Sequence, residues 1–209
     1  MSNMLPLVSV CVITYNQSRY IRQCLDSILN QVVDFNIEIC IGEDASSDGT
    51  REICQEYARR YPNIIRLFLR DRKDVIQIDG NPTGTYNFFE TLRSCRGDYI
   101  AICEGDDYWI DVFKLKKQLE ALLKSSQSTI CYSNVSVVYE DGRMSHPAYA
   151  ARRDKRKIRH NRIGIIEKPS RNLTIKDLAL RNCIHTPGVF FRNWIRDYDL
   201  PAYVWKCGL

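Results

Sequence analysis

The sequence predicts an α/β fold: a mostly parallel central sheet with helices on both of its faces. Three observations carry that prediction. Short runs rich in β-branched residues alternate with amphipathic helical patterns through residues 1–140. The runs are apolar almost throughout, the pattern of strands buried on both faces. Polar and unusual residues gather immediately after the runs, where parallel crossovers bring strand ends to one edge of a sheet.

Leu7 to Thr14, LVSVCVIT, is the first strand. The helix that follows carries Ile21, Cys24, Leu25, Ile28 and Leu29 at helical spacing, with Ser18 as its predicted N-cap. IEICIG is the second strand and ends at Glu43 and Asp44. SSDGT then opens a helix from Arg51 to Tyr61 with Ile53, Cys54, Tyr57 and Ala58 on one face. NIIRLFL is the third strand, GTYNFFETLRSC a third helix closed by Gly97, and DYIAIC the fourth strand. A fourth helix, from about Val112 to Lys124, presents Leu115, Leu119, Leu122 and Leu123. TICYSNVSVVYEDGR reads as a further strand running into a turn at Asp141-Gly142. Past residue 150 the pattern weakens. Thr174 and Asp177 form a capping-box pattern before IKDLALRN, and HTPGVFFR reads as a turn and a short strand.

The chain has 209 residues, 44% of them hydrophobic and 26% charged, enough for one domain with a proper core or a domain with an appendage. No apolar run reaches membrane-spanning length, and the N-terminus lacks the regions of a signal peptide, so the expected location is cytoplasmic. Nine cysteines include no CxxC pair and no zinc spacing. Cys11, Cys40, Cys103 and Cys131 fall within strands, Cys24 and Cys54 within helices, as small buried hydrophobes do in a reducing compartment. The net charge of +5 owes much to RRDKRKIRHNR, Arg152 to Arg162. That stretch reads as a solvated face, or as a patch for phosphate-bearing acceptors or an anionic membrane surface. No nucleic-acid-binding motif accompanies it.

The chemistry lies in three segments at the strand ends: Thr14-Tyr15-Asn16-Gln17, Glu43-Asp44, and Glu104-Gly105-Asp106-Asp107. A glycine-loop phosphate site is excluded after the first strand, because TYNQ contains no glycine and neither GxGxxG nor GxxxxGK[ST] occurs. Crowded carboxylates suit a divalent cation instead. Mg²⁺ and Mn²⁺ take oxygen ligands, and one or two carboxylates plus the phosphates of a nucleotide complete such a site. Asp44 is then placed to accept hydrogen bonds from a base or ribose, with Tyr15 beside it. Paired-carboxylate glycoside hydrolysis fits less well, since Glu104 and Asp106 stand two apart on one segment. A solvated acidic turn is the non-functional alternative.

VSVCVITYNQSRYIRQCLDSILNQ, IEICIGEDASSDGT and GDYIAICEGDDYW, in this order and spacing, resemble the successive motifs of family 2 glycosyltransferases of the GT-A fold, over residues 7–140. The resemblance implies a fold of one domain plus a C-terminal acceptor-side segment: residues 1–140 form the donor-binding region and 141–209 an incomplete acceptor-side region. It implies transfer of a sugar from a nucleotide-diphosphate sugar, a UDP-sugar foremost, to an acceptor hydroxyl with inversion. Asp44 matches the aspartate that contacts the base, and Thr14, Tyr15 and Asn16 wall the nucleotide pocket. Glu104-Gly105-Asp106 occupies the DXD position, with Glu for the first Asp, so that Asp106 and Glu104 would hold Mn²⁺ or Mg²⁺. Asp107 positions the loop or the sugar, and Asn87 matches a position near the donor.

The family places its general base beyond the HTPGVFF-like strand, where this chain offers Asp197 and Asp199; a base beyond Leu209 in a longer reading frame is the other expectation. His185 reads as a turn residue or a diphosphate contact, and Trp109 as a wall of the fold or a sugar-stacking platform. The expected setting is assembly of surface polysaccharide or glycolipid on a saccharide or lipid-linked acceptor, peripheral to the inner face of the membrane. The alternatives are a nucleotidyltransferase and a nucleotide-sugar-binding remnant without turnover.

Overall fold

The computed structural model describes residues 7–78, 81–136, 138–139 and 184–197. The chain forms two compact units, one of residues up to Tyr132 together with those from Thr186 on, the other Ser133–His185. All of the main sheet belongs to the first.

The elements run β1 (Val8–Thr14), α1 (Ile21–Leu29), β2 (Ile37–Glu43), α2 (Thr50–Arg60), β3 (Ile65–Leu69), β4 (Gln77–Ile78), β5 (Asn81–Pro82), α3 (Thr85–Arg93), β6 (Tyr99–Glu104), α4 (Lys114–Leu123), β7 (Ile130–Tyr132) and β8 (Val189–Arg192). The six-stranded sheet has the order β3-β2-β1-β6-β8-β7, and β4 and β5 form a small antiparallel ladder of their own. β3, β2, β1 and β6 are mutually parallel, whereas β8 runs antiparallel to both β6 and β7.

Strand alternation divides the core in two. Val8, Val10 and Val12 of β1 join Ile39 and Ile41 against Ile21, Leu25 and Ile28 of α1, Cys54 and Tyr57 of α2, and Leu115, Leu119 and Leu122 of α4. Cys11, Cys40, Ile100 and Ile102 point to the opposite face and pack with Leu92 of α3. The seven described cysteines are all free and six are buried, which matches their placement within apolar runs. Among the described residues no helix is long and apolar enough to cross a membrane.

Register sets the strand ends level. Thr14 pairs with Glu43 and Ile13 with Glu104. The ladder continues one step into the loops, as the Asp44 amide donates to the Thr14 carbonyl at 3.1 Å and the Gly105 amide to the Ile13 carbonyl at 2.9 Å.

Two local expectations are corrected. Ser18 does not cap α1: the cap position is Tyr20, without a side-chain hydrogen bond, because a turn in which the Tyr20 and Ile21 amides donate to the Gln17 carbonyl precedes the helix. Of the long strand expected from Thr129 onward, the described residues form a strand over Ile130–Tyr132 and are irregular over 133–136. This strand is the outer edge of the sheet, and its pairing with β8 spans three residues. The basic stretch Arg152–Arg162, the Thr174/Asp177 cap and Asp199 lie outside the described residues.

Candidate functional site

Four strand ends supply the site: Thr14–Gln17 after β1, Asp44–Asp48 after β2, Arg70–Arg72 after β3, and Gly105–Asp107 after β6. The first two loops are stitched together. Asn16 and Ala45 have φ of 51° and 59°, a left-handed conformation that costs a non-glycine residue about 1 kcal/mol or more. Cross-loop bonds offset it. The Asn16 amide donates to Ser46 Oγ and the Ser47 amide to Asn16 Oδ1, both at 2.9 Å. Gln17 N–H donates to Thr50 Oγ1 at 2.8 Å and Ser18 N–H to Asp48 Oδ2 at 3.0 Å. Burial works to raise the Asp48 pKa, yet the hydrogen bonds from Thr50 and Ser18 outweigh it and hold this carboxyl well below the ordinary aspartate value.

Glu43 and Asp44 are adjacent acids with opposite employment. Glu43 is fully buried, accepts the Ser46 amide at 2.6 Å and pairs with the Arg51 guanidinium. Arg51 in turn donates to the Arg70 carbonyl at 2.8 Å, so Glu43 fixes the floor of the site. Asp44 pairs with Arg72 Nη1 at 3.1 Å, and the same guanidinium stacks 4.4 Å from the centroid of the exposed Tyr15 ring. Burial raises the Asp44 pKa, with Arg72 opposing, Glu43 adding to the rise and Arg70 opposing. Arg72 and Arg70 were missed in the sequence. The signal was legible as LRDRKD after the third strand, a basic run at an edge otherwise lined by acids.

The acidic loop meets the others at its base. Gly105 sits where a Cβ would stand 2.4 Å from Gln17 Oε1 and 2.6 Å from Thr14 Oγ1, so only glycine lets the loop lie on β1. The loop is pinned on its inner side as well: Cys24 Sγ donates to the Glu104 carbonyl at 3.4 Å, Cys103 Sγ to that of Asp107 at 3.7 Å, and the Trp109 amide to Ser27 Oγ at 3.0 Å. On the outer side Glu104, Asp106 and Asp107 each offer a carboxylate oxygen, all within 4.8 Å of one another. Burial, then the Asp106 charge, raises the Glu104 pKa. Burial, Asp106 and Glu104 push Asp107 up to about 7. Three hard oxygen donors gathered on one loop are a donor set that fits Mg²⁺ or Mn²⁺.

The structure therefore gathers Thr14, Tyr15, Asn16, Asp44, Glu104, Asp106 and Asp107 at one edge. Asn87 lies beneath it, buried. Its amide donates to the Gly42 carbonyl at 2.9 Å and its Oδ1 accepts from Arg70 Nε at 3.4 Å, so it supports the β2 end and Arg70. Trp109 is 7% exposed with its indole N–H on the Pro187 carbonyl at 3.2 Å, a wall of the fold and not an open platform. His185 is half-buried and belongs to the other unit. Asp197 is not brought to this edge. Its turn, Ile195–Asp197, follows antiparallel β8 to the start of β6, where Arg196 pairs with Asp98 at 3.1 Å. Glu104 stands five residues farther along β6, about 17 Å of strand.

A mostly parallel sheet with two cross-linked loops and an acidic loop after β6 is the GT-A arrangement of glycosyltransferases. Residues 9–198 match the family described as glycosyl transferase family 2, and the chain belongs to that family. It is 37% identical over 199 residues to an uncharacterised protein of Mycobacterium tuberculosis, covering 94% of this chain and 50% of the relative. It is 32% identical over 142 residues, 68% of this chain and 52% of the relative, to TuaG of Bacillus subtilis, named for teichuronic acid biosynthesis. The chain thus spans about half the length of these relatives. Among solved structures, Staphylococcus aureus TarS with UDP superposes with a TM-score of 0.54 at 19% identity, over 91% of this chain and 47% of that one. A mannosyltransferase of Pyrobaculum calidifontis with GDP-Man and Mn²⁺ gives 0.51 at 24%, over 65% and 37%. These likenesses establish the fold.

Proposed function

We propose that this chain carries the donor site of an inverting, metal-assisted glycosyltransferase that moves a sugar from a nucleoside diphosphate sugar to an acceptor hydroxyl. The observation that carries the reading is the convergence of Glu104, Asp106 and Asp107, each with a carboxylate oxygen within 4.8 Å of the others, at the edge that also holds Asp44. Asp44 accepts a hydrogen bond from the base, with Tyr15 and Arg72 around it, and Thr14 and Asn16 shape the pocket wall. Asp106 and Glu104 hold Mn²⁺ or Mg²⁺, and Asp107 sets the loop and the sugar. When bound, the cation stabilises charge on the departing diphosphate. The acceptor hydroxyl needs a base. With Asp197 at the far edge, Asp199 and acids outside the described residues are the candidates.

The name of the relative TuaG supports a role in surface polysaccharide assembly, and this reading takes glycolipid as the other product and a saccharide or lipid-linked molecule as the acceptor. Arg152–Arg162 is the segment this reading assigns to an anionic membrane surface at the cytoplasmic face. Thermal unfolding with UDP, GDP, dTDP and CMP, each with and without Mn²⁺, tests the donor site. Ligand at a hundred times its Kd adds about 2.7 kcal/mol, a rise of roughly 5–10 °C for a chain of this size. The expected result is a Mn²⁺-dependent rise with one nucleotide, lost in Asp106→Ala and weakened in Asp44→Ala. No rise with any nucleotide overturns the reading.

A further inference from the structure

Lys114, the first residue of α4, is 7% exposed, and among the described residues no carboxylate lies within ion-pairing distance of it. Its ammonium stands 4.3 Å from the centroid of the Trp109 ring and donates to Gln118 Oε1 at 2.6 Å. Each of these partners spends its own donor on one turn. The Trp109 indole N–H goes to the Pro187 carbonyl at 3.2 Å, and Gln118 Nε2 to the Gly188 carbonyl at 2.9 Å. That turn, Thr186–Gly188, leads into β8. β8 runs antiparallel to β6, with Ala101 paired to Phe190 and Tyr99 to Arg192, so the turn that precedes β8 lies toward the end of β6 that carries Glu104.

We propose that Lys114 is a positioning residue: its buried ammonium, held between the Trp109 ring and the Gln118 oxygen, orients the two donors that lock the Pro187 and Gly188 carbonyls, and so fixes the Thr186–Gly188 turn as a rigid wall beside the acidic loop. Its meaning for sugar transfer rests on the function proposed above; the strut itself does not. A buried cation without a counterion is a costly way to fill space, and an apolar side chain would serve stability better. What an apolar residue lacks is a hold on both partners at once. The groups facing the ammonium are Cys103 of β6, Cys131 of β7 and Asp111 of the preceding loop, and Asp111 itself pairs with Lys117 at 2.8 Å. Burial lowers the Lys114 pKa to about 8, so the cation is present at neutral pH and lost in mildly alkaline solution.

The full chain, Lys114→Met and Gln118→Glu are compared by amide hydrogen exchange, by tryptophan fluorescence against pH, and by unfolding with UDP and Mn²⁺. In Lys114→Met, exchange within 186–190 quickens by about tenfold or more while β1 and β2 keep their protection and the Tm at pH 7 is held or raised. Wild-type fluorescence titrates near pH 8 and the Lys114→Met trace lacks that step. Gln118→Glu offers the ammonium a carboxylate and moves the step upward, yet it quickens exchange of the turn, having no N–H for Gly188. In a transfer assay, Lys114→Met lowers kcat by about tenfold with donor KM within about twofold. Unchanged exchange at the turn, a fluorescence step that survives Lys114→Met, or a lowered Tm with faster exchange throughout the core overturns the proposal. Failure of the wild type to bind any nucleoside diphosphate overturns the transferase reading alone, and exchange and fluorescence still decide the strut.

Discussion

Asp107→Asn is the perturbation that tests the physics of the acidic loop directly. Burial and the charges of Asp106 and Glu104 lift this carboxyl from 3.8 to about 7. A carboxyl whose folded value lies above its unfolded one holds more protons in the folded state, so ionising it opposes folding. Below about pH 4 both states are protonated and no cost arises; the cost grows as pH rises through the window and is complete above about 7. About three units correspond to roughly 4 kcal/mol, and solvent screening of this partly buried group reduces that to about 2 kcal/mol. Asparagine keeps the shape and removes the charge. Without metal the variant is therefore about 2 kcal/mol more stable than wild type at pH 8, or about 4–8 °C in Tm, and the two converge near pH 4. The assay is thermal unfolding across that range in the presence of a chelator. Added Mn²⁺ narrows or reverses the difference, because a cation held by Asp106 and Glu104 relieves the cost of the neighbouring Asp107 charge, which only the wild type carries. A variant less stable than wild type at pH 8, or separated from it by a margin that ignores pH, refutes the reasoning.

Other substitutions separate the frame from the site. Gly105→Ala forces its new methyl against Gln17 and Thr14; it costs about 2 kcal/mol and weakens Mn²⁺-dependent nucleotide binding by about tenfold, read by unfolding and titration calorimetry. Glu43→Ala strands the Arg51 guanidinium and the Ser46 amide, and lowers stability by about 3–5 kcal/mol in chemical denaturation. Asp44→Ala, one residue on, costs less than about 2 kcal/mol, because burial already disfavours its charge, and its loss appears in nucleotide affinity instead.

Much of this was legible in the residues. LVSVCVIT, IEICIG and DYIAIC declared parallel, doubly covered strands, and the acids after them marked the working edge, because chain direction fixes where parallel strands end. What the pattern left open depends on contacts across the fold. Glu43 and Asp44 are alike in sequence, and only the position of Arg51 on α2 and Arg72 after β3 sorts one into the frame and the other into the site. The strand VFFR was visible, but its direction was not, since a short apolar run carries no mark of the neighbour it will join. That direction is also what sends Asp197 to the wrong edge. Lys114 and Gln118 stood four apart beside Leu115, Leu119 and Leu122, a polar pair flanking an apolar stripe. Their meaning depends on Trp109 and a turn some seventy residues away.

The place of β8 has a consequence for how the chain is made. Glu104 ends β6, yet the strand that covers the outer side of β6 begins only at Val189. At about 5–20 residues per second, a ribosome needs several seconds to deliver it. During that time Tyr99–Ala101 present an unpaired apolar edge of the kind that recruits other strands. The pairing is long-range in sequence and slow to find. A chain cut near residue 140 would keep Glu104, Asp106 and Asp107 and still lack this strand. Its hazard would be association between nascent molecules, so its yield would depend on chaperones and temperature before any chemistry could be measured.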